Sequence, residues 1–349
     1  MTRVQIGDRR IGPGEPCFLA AEVGLNHNGS MDLAHRLVDA AADAGADAVK
    51  FQNYRTGDFL SDRSLTYEYV SQGNAVVESQ YDMFKRCELM PQHLLELREH
   101  CDRRNLFFFS TPTGEDGVAE LVQAGAPLLK NGSDYLVHLP LIRAMARTGL
   151  PTVLSTGMGT LAEIDDAVTA FRGAGGQKLI LLHCTSSYPT RPEDVHLPKI
   201  QALAAAFDCP VGFSDHTWGT TAAIGAVVLG ACFVEKHFTL DKNLSGPDHR
   251  FSSDPAEFRA LVHEVHIIEQ CLKRRSIGPT ASESLGRRDF RLSCVASRDL
   301  TAGHDVTEAD VAFRRPGTGF PPKALKSLLG RRLQRHVPSA KVFELEDFA

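Results

Sequence analysis

The chain has 349 residues, 43% of them hydrophobic and 23% charged, with a formal net charge of −5. A chain of that length and apolar content buries a large core and divides most simply into one large domain with a small one, or two of middling size. The mildly negative balance excludes the global basic field of a nucleic-acid binder, so any anionic ligand must be held by a local cluster of cations.

The N-terminal segment has no apolar run followed by a small-residue cleavage site, and the cysteines are scattered without a CxxC pair, as reduced thiols would be. Both features predict a cytoplasmic protein. The longest mostly apolar run, residues 222–234, is too short to span a bilayer, so no membrane partner is expected.

In chain order, "CFLAAEVG" (17–24) reads as a first strand, followed by the helical "SMDLAHRLVDAAADAG" (30–45), which Ser30 can cap and Gly45 can stop. "DAVKFQN" (47–53) is a second strand. The connection from 54 to about 90 is abnormally long and carries tyrosines at 67, 69 and 81, which predicts a lid or substrate-side insertion packed on something. Helix "MPQHLLELREHCDRRN" then leads to strand "LFFFST", "GEDGVAELVQAG" to "PLLKNGS", and "LPLIRAMARTG" to "PTVLSTG". "LAEIDDAVTAFRGAG" leads to "KLILLHCTSS", "LPKIQALAAAF" to "PVGFSDHT", and a last apolar helix to "CFVEKHFT".

These strands are continuous apolar runs, as a parallel sheet with a covered outer face requires. Eight strand and helix pairs over roughly 250 residues predict the α/β class and a (β/α)8 TIM barrel, and the lack of a GxGxxG after the first strand weighs against a dinucleotide fold. The barrel is assigned to residues 1–275, a charged, turn-rich linker to 276–288, and a module of short strands to 289–349. That module is small enough to need docking on the barrel or on a second subunit. The basic runs at 273–275, 287–288 and 331–332 read as solvated.

Barrel chemistry sits at the carboxyl ends of the strands, and the polar residues fall there: Glu22, then Asn26 and His27; Lys50 and Gln52; Ser110 and Thr111; Lys130 and Ser133; Ser155 and Thr156; His183, Thr185 and Ser186, with Tyr188 following. The seventh strand ends in Ser214, Asp215 and His216, and the eighth in Glu235, Lys236 and His237. His216 and His237 end adjacent strands, so their imidazoles can converge and, with oxygen ligands or water, suit a divalent ion such as Mn2+ or Zn2+; the plainer reading makes each a hydrogen-bonded rim residue. Asp215 and Glu235 are candidate further ligands or ring-orienting partners, although their parity is expected to turn both away. Lys50 and Lys130 lie on strands buried on both faces and need anions: either an ion pair with Glu22, or a phosphate or carboxylate ligand shared with the hydroxyls of Thr111, Ser133, Ser155 and Ser214. Cys184, beside His183, is not expected to be a nucleophile, because neighbours on a strand face opposite ways.

"AEVGLNHNGS", "VKFQ", "STP", "LSTGM", "HCTSSYPT", "GFSDHT", "EKHFT" and "GPDH" occur in an order that resembles the sialic acid synthase family, and "FRRPGTG" resembles the antifreeze-like (SAF) module its members carry. The resemblance implies a synthase that condenses phosphoenolpyruvate with N-acetylmannosamine or a related 2-acetamido hexose to a nine-carbon nonulosonic acid. It implies a metal, Mn2+ with Mg2+ or Co2+ possible, on His216 and His237. It implies phosphoenolpyruvate binding by Lys50, Lys130, Thr111, Ser133, Ser155 and Ser214, a catalytic Glu22, and substrate contacts from Asn26, Gln52, Asp134, Ser186, Tyr188 and Asp248. Arg315 matches an arginine that family members insert into a neighbouring subunit, which implies a domain-exchanged homodimer. The stretch "KNGSDY" (130–135) departs from the family's pattern: an acid is replaced by Tyr135, Asp134 fills a glycine slot, and Asn131 puts an amide in a buried strand. The alternatives are an inactive barrel that binds carbohydrate, and a synthase acting on aldose phosphates, against which the C-terminal module argues.

Overall fold

The structure, a computed structural model, describes residues 2–273 and 276–349. Two compact units divide the chain, Met1–Lys273 and Arg274–Ala349. Arg274 and Arg275, at the end of the expected barrel domain, lie outside the described residues.

In the first unit an antiparallel hairpin, Val4–Ile6 with Arg9–Ile11, precedes eight parallel strands. These are β1 (Phe18–Glu22), β2 (Ala48–Asn53), β3 (Phe107–Pro112), β4 (Leu129–Asn131), β5 (Thr152–Ser155), β6 (Leu179–Cys184), β7 (Val211–Asp215) and β8 (Phe233–His237). Their hydrogen-bonded order is β3-β2-β1-β8-β7-β6-β5-β4, and β3 and β4, at its two ends, lie side by side. The sheet is therefore a nearly closed barrel, and at least one helix follows each strand, from Met31–Ala44 after β1 to Pro255–Leu272 after β8.

Alternation along the strands separates two cores. Leu19, Val49, Phe108 and Val234 face outward and pack with Leu37, Leu94, Leu121 and Leu261 of the helices. Phe18, Ala20, Phe109, Val153, Ile180 and Phe233 face inward, and Val4, Ile6 and Ile11 of the hairpin join them, closing the amino end of the barrel with apolar side chains. The helix ends follow their sequence signals: Ser30 accepts from the Leu33 amide, Gly45 turns with φ +89°, and Asp254 and Glu257 form a reciprocal capping box ahead of the last helix.

The long connection is folded. It contains a short helix (Thr56–Phe59), an antiparallel hairpin (Thr66–Ser71 with Asn74–Ser79) and a helix (Gln80–Arg86). Leu25, Tyr54, Met83 and Cys87 form its own small core, with Phe59, Tyr67 and Phe84 against it. Among the described residues no helix is long and apolar enough to cross a membrane.

The second unit opens with a turn (Ala281–Glu283) and a short helix (Ser284–Asp289), where the sequence suggested only a linker. Its ribbon, Ser293–Ala296 with Val311–Arg314, encloses Cys294, Leu300, Val306, Leu333, Val337 and Phe343. Two buried carboxylates brace this small core. Asp310 accepts from the Thr307 amide at 2.9 Å, the Thr307 hydroxyl at 2.6 Å, Arg298 at 2.6 Å and His304 at 2.8 Å. Asp347 plays the matching part for Glu344, Arg335 and Lys341. Burial works to raise the Asp310 carboxyl, but these donors outweigh it and hold the group well below the usual carboxylate range.

A carboxylate with a depressed folded pKa stabilises above the pH at which the unfolded group ionises, and loses that contribution as acid reaches it. Asp310→Ala is expected to cost the C-terminal unit about 2 kcal/mol at neutral pH, the scale of lost charged hydrogen bonds. The gap between variant and wild type should narrow as pH falls below the ordinary aspartate value of 3.8; urea melts of the full chain at neutral and acid pH check both.

Candidate active site

The parity that buries the apolar floor also builds the site above it. Glu22 stands two residues beyond Ala20, Lys50 beyond Ala48, Thr111 beyond Phe109, Ser155 beyond Val153, and Glu235 beyond Phe233, so each continues an inward row into the mouth. Strand register brings them level, pairing Glu22 with both His237 and Lys50, and Ser214 with Glu235.

The result is a buried network of four charges. Lys50 Nζ lies 2.9 Å from Glu22 and 3.8 Å from Glu235, and donates to the Thr111 hydroxyl at 3.2 Å. Lys130 Nζ donates to the Ser155 hydroxyl at 2.7 Å, but its nearest carboxylate, Glu235, is 3.7 Å away. Glu235 is fixed by a 3.0 Å hydrogen bond from Ser214, and Glu22 by one of 3.2 Å from Gln52. Burial raises the Glu22 carboxyl against the pull of Lys50; the Lys50 ammonium is itself raised, because Glu22 and Glu235 outweigh its burial, and the 2.9 Å contact favours the ionised pair. Lys130 goes the other way: burial lowers it, and Glu235 at 3.7 Å does not offset that, with Lys50 adding to the lowering. The incompletely compensated cation of the site is therefore Lys130.

Glu235 corrects the parity expected for it. It stands two residues before His237, not one, and so shares the histidine's inward face, where it lies between the two lysines. The residues that directly precede the histidines are Asp215 and Lys236, and they turn outward. Cys184 also faces inward, with His183 on the opposite side bonded to the Val195 carbonyl at 2.5 Å.

Beside Lys130, hydroxyls gather around the β5 turn. The Gly157 amide donates to Ser133 Oγ at 3.1 Å, and Cys184 Sγ is 3.1 Å from the same oxygen. A Cβ at Gly157 would lie 2.4 Å from Ser186 Oγ and 2.7 Å from Ser133 Oγ, so only glycine lets the backbone approach this closely. Ser186 Oγ is buried without a hydrogen-bond partner. Lys130, Ser133 and Ser186 thus present an ammonium and two hydroxyls to one corner of the cavity, a donor set that suits an anion. Gly157 belongs to the glycine-rich turn at 155–160 that leads from β5 toward the next helix.

The two imidazoles converge, with ring centroids 5.6 Å apart and planes at 63°. His216 Nδ1 donates to the Thr185 carbonyl at 2.8 Å, which fixes the tautomer and leaves Nε2 as an acceptor. His237 Nδ1 is buried without a hydrogen bond, 3.7 Å from Asp248. Burial holds His216 down at about 4; burial and then His216 and the lysines keep His237 far below its ordinary value. Burial thus favours the neutral form of both rings, and His216 Nε2 lies 3.3 Å from the Ser214 hydroxyl. Among the described residues no group of three or more His, Cys, Asp or Glu side chains is arranged to hold an ion. The protein's fit to a divalent metal is thus two imidazole nitrogens, with oxygen donors left to solvent or ligand.

The four charged groups, the site hydroxyls and both imidazoles line one cavity of about 390 Å3, with Asp248 behind His237 and not in the lining; Tyr54, Phe59 and Phe84, which meet edge to face at 5.1–5.6 Å, also line it. The insertion therefore contributes to the wall, but through these rings and not through Tyr67, Tyr69 or Tyr81; no local pattern marked them. Tyr188 lies 4.3 Å from His216, and Gln52, Asp134 and Tyr135 also line the cavity. Asn26 does not: its amide donates to the Phe238 carbonyl at 2.8 Å and to Ser252 at 2.9 Å, pinning the loop after β8. Arg315 belongs to the second unit, where it is exposed and stacks over Phe290 at 5.2 Å. Asn131 is fully buried with an unpaired carbonyl oxygen.

A parallel barrel that collects lysines, carboxylates and imidazoles in a cavity at the carboxyl ends of its strands, above an apolar floor, belongs to the class of TIM barrels. The chain belongs to the NeuB family, whose family model matches residues 37–276, and an SAF domain matches residues 293–349. An uncharacterized protein of Methanocaldococcus jannaschii is 42% identical, covering 96% of this chain and 95% of its own. The N,N'-diacetyllegionaminic acid synthase of Legionella pneumophila is 37% identical, covering 95% and 94%. The crystal structure of an N-acetylneuraminic acid (sialic acid) synthetase from Leptospira borgpetersenii in complex with citrate is similar with a TM-score of 0.74 at 34% identity, over 82% of this chain and 95% of that one.

Gly157→Ala is expected to displace the Ser133 and Ser186 hydroxyls and weaken binding of inorganic phosphate at least about tenfold, or about 1.4 kcal/mol. Isothermal titration calorimetry on wild type and variant, with near-UV circular dichroism as a check on the fold, measures this.

Proposed function

We propose that this protein joins phosphoenolpyruvate to the open-chain aldehyde of a 2-acetamido hexose, giving a nine-carbon nonulosonic acid and inorganic phosphate. The observation that carries this reading is the presence, in one cavity, of two buried lysines beside two imidazoles that converge to 5.6 Å. Membership of the NeuB family and similarity to the Legionella and Leptospira synthases support it.

In this reading Lys130, Ser133, Ser155, Ser186 and the Gly157 amide receive the phosphate, and Lys50 with Thr111 and Ser214 the carboxylate, so that charge on the ligand completes the compensation of the cations. His216 and His237 would hold a divalent ion, Mn2+ foremost and Mg2+ or Co2+ also suited, which when bound supplies Lewis acidity at the aldehyde oxygen. Tyr188 and Asp248, beside the imidazoles, border the sugar. C3 of the enol bonds to the aldehyde carbon, whose oxygen takes up a proton and becomes a hydroxyl; C2 gains positive charge, a water oxygen adds to C2, and the C2–O bond to phosphate then breaks as the added hydroxyl loses its remaining proton and the C2 ketone forms. Glu22, raised by burial and fixed by Gln52 and Lys50, orients that water and takes its proton. The apolar wall of Tyr54, Phe59 and Phe84 keeps other water out, and holding enol and aldehyde together lowers the entropic barrier. N-acetylmannosamine or a related acetamido hexose is the proposed acceptor, with Asp134 and Tyr135 the residues placed to select among them. A homodimer in which exposed Arg315 serves a second copy belongs to the same proposal.

Purified protein given phosphoenolpyruvate, Mn2+ and a panel of 2-acetamido aldoses should release phosphate only when both substrates are present, stop with a chelator, and yield a product of the summed nine-carbon mass. Phosphate release with phosphoenolpyruvate alone, or none with any acetamido sugar, refutes the reading. His216→Ala or His237→Ala should lower kcat/KM by at least about 10^3-fold, the scale of several kcal/mol of lost charge stabilisation.

A further inference from the structure

Asp215 and Lys236 are buried ionisable groups that the proposed chemistry does not use. Each stands one residue before a histidine of the converging pair, so alternation turns them to the outer face of the barrel while His216 and His237 face in. They are direct register partners across β7 and β8. Lys236 Nζ donates to Asp215 Oδ2 at 2.7 Å and to the Thr217 carbonyl at 2.9 Å. Asp215 Oδ1 accepts from the Thr217 amide at 2.9 Å and from its hydroxyl at 2.8 Å. Asp215 is 1% exposed and Lys236 2%.

We infer that Asp215, Lys236 and Thr217 are positioning residues that clamp the two strand ends so that the His216 and His237 rings are held at one fixed separation for the ion they share. Both chain neighbours of His216 are tied to a single ammonium, and that ammonium is carried by the neighbour of His237. The peptide bearing one imidazole therefore cannot slide or rotate without the peptide bearing the other. Ring rotation is settled separately, by the bond from His216 Nδ1 to Thr185. A buried ion pair contributes little net stability over an apolar pair of similar volume. Four directed bonds converging around one histidine serve geometry better than they serve packing.

The inference rests on the reading of His216 and His237 as the ion-holding pair, and the experiment separates the two. Mn2+ binding to the full chain, without substrates, is followed by the electron paramagnetic resonance signal of free Mn2+, alongside thermal melts and near-UV circular dichroism. In the double variant Asp215→Asn/Lys236→Met no charge is left stranded; it should fold, yet bind Mn2+ about 10- to 100-fold more weakly, the range for groups that orient metal ligands. Its affinity for inorganic phosphate, which the β4 to β6 hydroxyls serve, should stay within about twofold of wild type. Thr217→Val, which removes one bond and no charge, should weaken Mn2+ binding severalfold, and it decides the matter if the double variant does not fold. Wild-type Mn2+ affinity in a folded double variant, or in Thr217→Val, overturns the clamp and leaves the metal reading intact. Failure of the wild type to bind Mn2+ overturns both.

Discussion

Four charges buried in the barrel mouth set the terms for everything around them. Glu22 and Glu235 against Lys50 and Lys130 sum to zero, and none of the four is more than 4% exposed. Removing any one would leave its partners as uncompensated charge in an apolar enclosure, which is far more costly than losing the pair together. The balance is nevertheless uneven in space. Glu22 is in direct contact with Lys50, while Glu235 is shared at a distance, and Lys130 is the member left short. A neutral network with a local deficit of negative charge admits an anion without a large penalty when the site is free. In the function proposed here, that imbalance is what receives the phosphate.

The floor beneath gives this network its strength. Phe18, Phe109 and Phe233, with the hairpin's Val4, Ile6 and Ile11, keep water from the lower barrel, so charges two residues above interact through a medium less polarisable than solvent. Neutral imidazoles follow from the same burial. One strand pattern thus produces a dry base, a charged middle layer and lone pairs at the rim.

Much of this was legible in the sequence because alternation and continuous apolar runs are local signals. The eight strands, their helices, the caps at Ser30 and Gly45 and the cluster of polar residues at strand ends all follow from them. What failed was non-local or miscounted. Glu235 had the right address but the wrong face, an error of one residue, and a one-residue error inverts orientation on a strand. Its place between lysines from β2 and β4 could not be seen from β8 alone. Asn26 belongs to a site motif yet is occupied with Phe238 and Ser252, which only the folded loop reveals. Tyr54, Phe59 and Phe84 converge from the two ends of a long insertion, and no periodicity marks such a meeting. Residue types named the chemistry of the cavity; strand register supplied its geometry.

The N-terminal hairpin carries a final implication. By stopping the lower end with side chains, it leaves hydrocarbon beneath the charged layer, so those groups find polar partners only sideways or toward the mouth. Three apolar residues of a β-ribbon, remote from the lysines and carboxylates, thereby decide from which end of the barrel that layer is hydrated.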